Sequence, residues 1–172
     1  MRFDVLFRYC PVCGSKGFKP NNVKSMRCDE CGFVMYVNPS AAVAAFIVNH
    51  RDELLICTRA NDPEKGKFDL PGGFVDENEM AEQAIEREIL EELGMKVDAG
   101  KYLFSIPNDY LYSGWMLPTL DLFFLFEVGE NFVPIPADDV KECSFLPLDQ
   151  IDVDKFGFKS MRQAVGRFLL NR

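Results

Sequence analysis

Three glutamates with helical spacing are the first residues in this chain whose types and positions could do chemistry. Glu88, Glu91 and Glu92 lie at positions i, i+3 and i+4, so a helix would place them close together. They border an apolar stripe, although like charges at i,i+4 destabilise an isolated helix by roughly 0.2–0.5 kcal/mol per pair. A solvated acidic face is the ordinary alternative. Carboxylates beside a buried face instead indicate a concave acidic site that binds cations.

The element that must position these acids is a helix, predicted over Ala81–Leu93. This segment is rich in strong helix formers and contains no Gly or Pro. It follows a Pro-Gly-Gly turn and stops at Gly94, the residue type that takes the left-handed conformation after a helix. Ile85 and Ile89 continue to Leu93 at i, i+4 and i+8, so this stripe is expected to pack on a core.

The spacing around the helix is more specific than the helix itself. Gly73 is followed by Glu79 and then by Arg87, so that residues 73–95 read G-x5-E-x7-R-E-U-x-E-E-x-G-U, where U is apolar. Roughly fewer than one in a million windows would match these fixed positions by chance. The run resembles the Nudix box. The resemblance implies an α/β fold, the Nudix α/β/α sandwich with a mixed sheet, and hydrolysis of a diphosphate linkage by a metal-activated water.

The resemblance also implies a role for each acid of the run. Glu88 and Glu92 correspond to ligands of Mg²⁺ (or Mn²⁺), and Glu91 corresponds to a metal ligand or a base. Arg87 and Glu79 correspond to a pair that orients the loop and the helix. These five residues form the expected catalytic set.

Two further magnesium ligands are expected from the resemblance alone. The carbonyl of Gly72 belongs to the family-like run 68–73, whose glycines bring backbone oxygens close to the metal. Asp139 lies in the run 138–142, which resembles a family segment whose acid is another ligand.

Arg59, Tyr112 and Trp115 are the candidate substrate-binding residues. Arg59 follows an apolar strand, and its guanidinium suits a phosphate, although an exposed residue at a strand end is the alternative. The segment 108–118 is predicted to be a loop between strands at 101–107 and 119–128. Its aromatic residues could stack on a base or pack over the sheet edge.

Two C-x2-C-G pairs, separated by 14 residues, indicate a second metal site near the N-terminus. Cys10, Cys13, Cys28 and Cys31 would complete a tetrahedral zinc shell, and disulfides are the alternative, disfavoured in a reducing compartment. The run resembles a zinc ribbon. Four ligands leave no position for water, so this Zn²⁺ is expected to be structural. The predicted domains are a ribbon over residues 1–36 and a Nudix domain over 37–172.

Composition and charge limit the partners. The formal net charge of −8 makes nucleic acid an unexpected partner, and no apolar stretch is long enough to span a membrane. The start MRFDVLFRYC lacks the apolar region of a signal peptide, so a cytoplasmic location is expected. The expected partner is a small nucleotide substrate, with a homodimer left open as the assembly.

A ribbon followed by a Nudix domain resembles the arrangement in NADH pyrophosphatases. Residues 105–110 keep the Ser and Pro of that subfamily's downstream signature but lack its Gln and Trp. The leading hypothesis is Mg²⁺-dependent hydrolysis of ADP-ribose, NAD(H) or a nucleotide sugar. The alternative is a non-catalytic Nudix-like nucleotide sensor that uses the ribbon as an interaction module.

Overall fold

The computed structural model describes residues 6–171, which divide into two compact units, one ending at Pro39 and the other starting at Ser40. Residues 1–5 and Arg172 lie outside the described residues. The expectations for a signal peptide and for the first residues of the ribbon fall partly on residues 1–5. The domain boundary after residue 36 stays a prediction. None of the helices within residues 6–171 has the length and apolar character needed to span a membrane.

The first unit contains a small antiparallel sheet. Its strands are β1 (Phe18–Asn22), β2 (Ser25–Cys28) and β3 (Val34–Tyr36), in the order β1-β2-β3. Four buried side chains form its core: Cys10, Phe18, Met26 and Cys28. A core of this size contributes little burial energy, so a unit of this kind normally needs a metal or another cross-link.

The second unit is built on a six-stranded mixed sheet. Its strands are β4 (Ser40–Asn49), β5 (Glu53–Arg59), β6 (Phe68–Asp69), β7 (Lys101–Tyr112), β8 (Trp115–Val128) and β9 (Val140–Pro147). The strand order is β6-β5-β4-β8-β7, and β9 pairs with β5. The central pair β4–β8 is parallel, whereas the other pairs are antiparallel.

Two helices cover the two faces of this sheet. They are α1 (Ala81–Leu93) and α2 (Lys159–Leu170), with short 3-10 turns at Leu148–Gln150 and Val153–Lys155. Alternate residues of β4 point to opposite faces: Val43, Ala45 and Ile47 pack in the α1 core, while Ala44, Phe46 and Val48 pack in the α2 core. This arrangement confirms the expected α/β/α sandwich with a mixed sheet.

Helix α1 has the bounds predicted from its sequence. The side chain of Gln83 accepts a hydrogen bond from the Met80 amide at 3.1 Å, which caps the start, and Gly94 ends the helix with a φ of 67°. The stripe of Ile85, Ile89 and Leu93 is fully buried against the sheet. Burial of this stripe fixes which way the neighbouring glutamates face.

The predicted loop at 108–118 is wrong. These residues extend β7 and β8 into a hairpin, closed by a two-residue turn at Ser113 and Gly114 with φ values of 49° and 81°. Strand β8 pairs with β4 only from Thr119 onward, so Pro118 has a partner strand on one side alone. Proline is tolerated where no ladder bond is required of its nitrogen.

The turn before α1 is held against β4. The amide of Val43 donates to the Gly73 carbonyl and that of Ala45 donates to the Pro71 carbonyl, both at 2.8 Å. Gly72, between them, has a φ of 149°, and a Cβ there would collide with the carbonyl oxygen of Val43. This close approach requires glycine and fixes the Gly72–Gly73 backbone beside the acids of α1.

Candidate active site

Arg87 is the centre of the charged cluster on α1. Its Nε and Nη2 donate to the two carboxylate oxygens of Glu79 at 2.9 and 3.0 Å, and Nη2 also donates to the Phe74 carbonyl at 3.0 Å. Nη1 donates to Glu88 at 2.8 Å and to Glu91 at 3.0 Å. The hydrogen bonds from Arg87 lower the pKa of Glu79. This guanidinium therefore ties the turn, the helix and two predicted ligands together.

Glu92 is the most deeply buried acid of the cluster. It is 6% exposed, and its Oε2 accepts a hydrogen bond from the Gly72 amide at 2.9 Å. Burial, together with the negative charges of Glu88, Asp69 and Asp139, raises its pKa to about 8, against the opposing effect of the Gly72 amide. A cation bound beside Glu92 would stabilise the charged carboxylate and so lower its pKa.

Glu88 lies against the glycine turn. A Cβ on Gly73 would collide with the Glu88 carboxylate, so the absence of a side chain at Gly73 leaves the space that this carboxylate occupies. Burial raises the pKa of Glu88, while the bond from Arg87 lowers it. Glu91 is about half exposed and touches the cluster through Arg87.

A cavity of about 130 Å³ opens beside these acids, and Gly72, Glu92 and Asp139 line it. Asn61 holds Asp139 by donating to its Oδ1 at 2.7 Å. The donors fit Mg²⁺, which prefers carboxylate and carbonyl oxygens. Among residues 6–171, only the four cysteines bring three or more candidate ligand atoms within 4.8 Å of one another, so the carboxylates do not yet converge.

Arg59 is already engaged by the protein. Its Nη1 donates to Asp69 at 2.8 Å, its Nε donates to the Pro63 carbonyl at 2.7 Å, and its guanidinium lies 4.9 Å from the Phe158 ring centre. Burial raises the pKa of Asp69 to about 6 in spite of the opposite effect of Arg59. Arg59 lies at the cavity, but its charge is largely balanced there.

Tyr112 and Trp115 face each other across the tip of the β7–β8 hairpin. Tyr112 is exposed and lines an open groove of about 620 Å³ that also contacts Arg59 and Asp139. Trp115 is not among the residues that line this groove. The structure therefore places Tyr112, but not Trp115, in a groove shared with Arg59 and Asp139.

The cavity has lining residues beyond the predicted site, and among the aromatic ones only Tyr110 belongs to the segment 108–118 that the sequence offered for stacking on a base. Phe74, Tyr110 and Phe158 provide aromatic walls, while Thr119 and Asp121 provide buried polar groups. One signal was present: Asp121 is a lone charge inside the apolar run of β8. Phe158 could not be found this way, because it reaches the cavity from the end of the chain.

The four cysteines of the first unit converge on one point. Sγ of Cys10 lies 3.6 Å from that of Cys31, and Sγ of Cys13 lies 3.6 Å from that of Cys28. A tetrahedral Zn²⁺ with bonds of about 2.3 Å separates its sulfurs by about 3.8 Å. All four thiols are free, and both C-x2-C-G turns make the same backbone hydrogen bonds. The donor set fits zinc.

Comparison with known proteins identifies the family. Residues 38–168 match the family model described as the NUDIX domain, so the chain belongs to this family. In the solved structures, a NUDIX hydrolase from Nitrosomonas europaea superposes with a TM-score of 0.72 at 22% identity, covering 95% of this chain and 91% of that chain. At this identity the superposition establishes the fold.

Two curated relatives carry names that describe an activity. A protein of Stutzerimonas stutzeri named NAD-capped RNA hydrolase NudC is 29% identical over 167 residues, which are 95% of this chain and 54% of that protein. A Methanocaldococcus jannaschii protein named ADP-ribose pyrophosphatase is 35% identical over 119 residues, 68% of this chain and 67% of that protein. The chain thus spans about half the length of its NudC relatives.

Proposed function

We propose that this protein is a pyrophosphohydrolase that cleaves the diphosphate linkage of a nucleoside diphosphate derivative of the ADP-ribose or NAD(H) type and requires Mg²⁺ or Mn²⁺. The observation that carries this proposal is the arrangement around Arg87, which links Glu79, Glu88 and Glu91 while Glu92 lies buried against the Gly72 amide. A protein that only binds nucleotide has no need to bury acids in this way.

The proposed ligands of the divalent metal are Glu88, Glu91, Glu92, Asp139 and the Gly72 carbonyl. Bound there, the metal would stabilise negative charge on the diphosphate and make a water more acidic. Arg87 and Glu79 hold the glycine turn against α1, so they position the ligands. Loading the site would exchange the bonds from Arg87 to Glu88 and Glu91 for bonds to the metal.

On the substrate side, Arg59 is the proposed phosphate-facing cation, positioned by Asp69. Tyr112 is proposed to contact the substrate at the groove, and Trp115 is kept as a more distant candidate on the same hairpin. In the first unit, Cys10, Cys13, Cys28 and Cys31 are proposed to hold a structural Zn²⁺.

The names of the relatives guide the choice of substrates. One class is ADP-ribose, and the other is a nicotinamide dinucleotide attached to RNA, so both belong in the assay beside free NAD(H) and a nucleotide sugar. Hydrolysis adds the OH of water to one phosphorus and its H to the departing phosphate oxygen, and releases two phosphomonoesters, each of which then loses its second acidic proton to solvent near neutral pH. From ADP-ribose these products are AMP and ribose 5-phosphate.

The experiment is a product-release assay by liquid chromatography with Mg²⁺, with Mn²⁺ and without either metal. We expect metal-dependent release of AMP from at least one ADP-ribose or NAD(H) substrate. The absence of turnover on every diphosphate, together with measurable nucleotide binding, would favour the sensor hypothesis.

Glu92→Gln tests whether the buried carboxylate matters for turnover. It keeps the shape of the side chain and removes its charge, so kcat should fall by roughly a hundredfold or more, the loss expected when several kcal/mol of metal clamping disappear. Glu82→Gln is the matched control on an exposed position of α1 and should keep full activity. Near-normal turnover by folded Glu92→Gln protein would refute the proposed mechanism.

A further inference from the structure

The cavity beside Glu92 contains residues that the proposed hydrolysis does not use. We call Phe74, Tyr110, Phe158, Thr119 and Asp121 the ring pocket, because three of them are aromatic and all line the same cavity as Glu92. Nothing in the hydrolysis of a diphosphate requires an aromatic wall or a carboxylate at this position. These residues therefore point to the group attached to the diphosphate.

Three aromatic rings form a continuous wall along the ring pocket. Phe74 and Tyr110 meet nearly perpendicularly, at 88°, with ring centres 5.5 Å apart, and Tyr110 lies 5.3 Å from Phe158. The cavity volume of about 130 Å³ is close to the roughly 150 Å³ of an engineered apolar cavity that binds benzene. A planar heteroaromatic ring fits such a space, and the open groove that also contacts Arg59 and Asp139 leaves room for the diphosphate.

Asp121 supplies a fixed hydrogen-bond acceptor in this pocket. The carboxylate is 4% exposed; its Oδ1 accepts from the Thr119 hydroxyl and its Oδ2 from the Ser160 hydroxyl, both at 2.6 Å. A carboxylate has about four acceptor positions, so each oxygen can accept one more bond. The two hydroxyls come from different elements, β8 and α2, and therefore hold the carboxylate in one orientation.

The charges around the pocket restrict the ring further. Within residues 6–171, Asp121 forms no ion pair, and the guanidinium of Arg59 is committed to Asp69. A buried carboxylate with capacity for another donor favours an N–H group of a ligand and disfavours an anion or a carbonyl oxygen. The aromatic faces also attract a cationic ring.

We propose that Asp121 selects a nitrogen heteroaromatic ring bearing an exocyclic N–H donor as part of the substrate. The shared chemistry is that of the 6-amino group of adenine and the carboxamide of nicotinamide. Thr119 and Ser160 are positioning residues that orient the Asp121 carboxylate. This inference rests on the proposed function for the location of the diphosphate, but its test does not require turnover.

The test is calorimetric binding in Mg²⁺-free buffer with two pairs of mononucleotides. AMP is compared with IMP, in which oxygen replaces the amino group, and nicotinamide mononucleotide is compared with nicotinic acid mononucleotide. We expect the member of one pair that carries the exocyclic N–H group to bind about tenfold more tightly or better, since an unpaired buried polar group costs that much. The pair that shows the difference identifies which ring the pocket takes.

Asp121→Asn is the decisive variant, because its amide can donate to an exocyclic oxygen of the ring. The preference should disappear or reverse in this variant and persist in the exposed control Asp149→Asn. Should Asp121→Asn fail to fold, Thr119→Val, which removes one orienting hydroxyl, should weaken the preference, while Thr119→Ser should retain it.

Three results would overturn the inference: no binding of any of the four mononucleotides, equal affinities within both pairs, or a preference unchanged in the Asp121 or Thr119 variants. Selective binding without hydrolysis of any diphosphate would leave the ring pocket standing and reject the proposed hydrolase. Hydrolysis of a diphosphate without ring selectivity would support the proposed hydrolase and reject the ring pocket.

Discussion

The two proposed metal sites of this chain are held in opposite ways. In the cysteine unit the four sulfurs already lie within 4.8 Å of one another, and paired backbone turns hold them there. In the Nudix domain, Arg87 holds Glu88 and Glu91, and the Gly72 amide holds Glu92. A closed sulfur shell suits a permanent structural ion, whereas acids held by exchangeable protein partners suit an ion that must also leave room for substrate and water.

Removing the ribbon metal should produce the largest effect. Cys28→Ser breaks the four-thiolate shell, so the zinc content should fall from about one per chain to near zero, and the first unit should unfold, since structural zinc contributes roughly 10–16 kcal/mol in small zinc peptides. Metal analysis and amide hydrogen exchange measure both changes. Cys143→Ser, in the second unit, should keep the zinc. A metal-free wild-type protein with a protected first unit would contradict the zinc assignment.

A methyl group at Gly72 tests how strictly the backbone of the acidic site is fixed. Gly72→Ala forces a Cβ into the Val43 carbonyl at an unfavourable φ, so unfolding should become easier by about 3 kcal/mol or more in chemical denaturation.

Gly73→Ala is the matched control for this prediction. The nearest atoms to its Cβ belong to the Glu88 carboxylate, which can rotate away, so activity should fall more than stability. Equal stability losses in the two variants would show that the close approach at Gly72 is not what fixes the turn.

The pH dependence of stability should reveal the buried Asp69. Burial raises its folded-state pKa to about 6, above its ordinary value of 3.8, so the folded protein retains the proton longer than the unfolded chain. The stability contributed by this group is therefore present below about pH 4 and is lost as the pH rises to about 6, with a slope of up to about 1.4 kcal/mol per pH unit.

Asp69→Asn isolates this contribution. Denaturation measured from pH 4 to 6 should show the variant gaining stability relative to the wild type across this window, with a constant difference above it. A difference that stays constant between pH 4 and 6 would mean that the Asp69 pKa is not raised.

The smallest effect is expected at Gly14, in the first cysteine turn. Its φ is 73°, and a Cβ there would meet nothing within 4 Å. Gly14→Ala should therefore cost only about 1 kcal/mol from backbone strain, measured as the midpoint of zinc loss in a chelator titration. A loss as large as that of Cys28→Ser would show that the ribbon turn is as sterically confined as Gly72.

Local patterns predicted much of the fold and the types of residue in the site. The helix at 81–93 has its predicted bounds, because the apolar period and the end signals lie within the segment itself. The segment 108–118 forms a hairpin in place of the predicted loop, because its residues do not reveal which strands will pair. Strand partners are set by the sheet and not by the segment.

The sequence alone determined the spacing of the cysteines and the placement of the glutamates on α1, since both depend on distances of a few residues along the chain. Only the tertiary structure decided that Arg59 is committed to Asp69 and that Ser160 orients Asp121, 39 residues away in the chain. Such partners are chosen by how the sheet and α2 pack, and burial then gives each polar contact its strength.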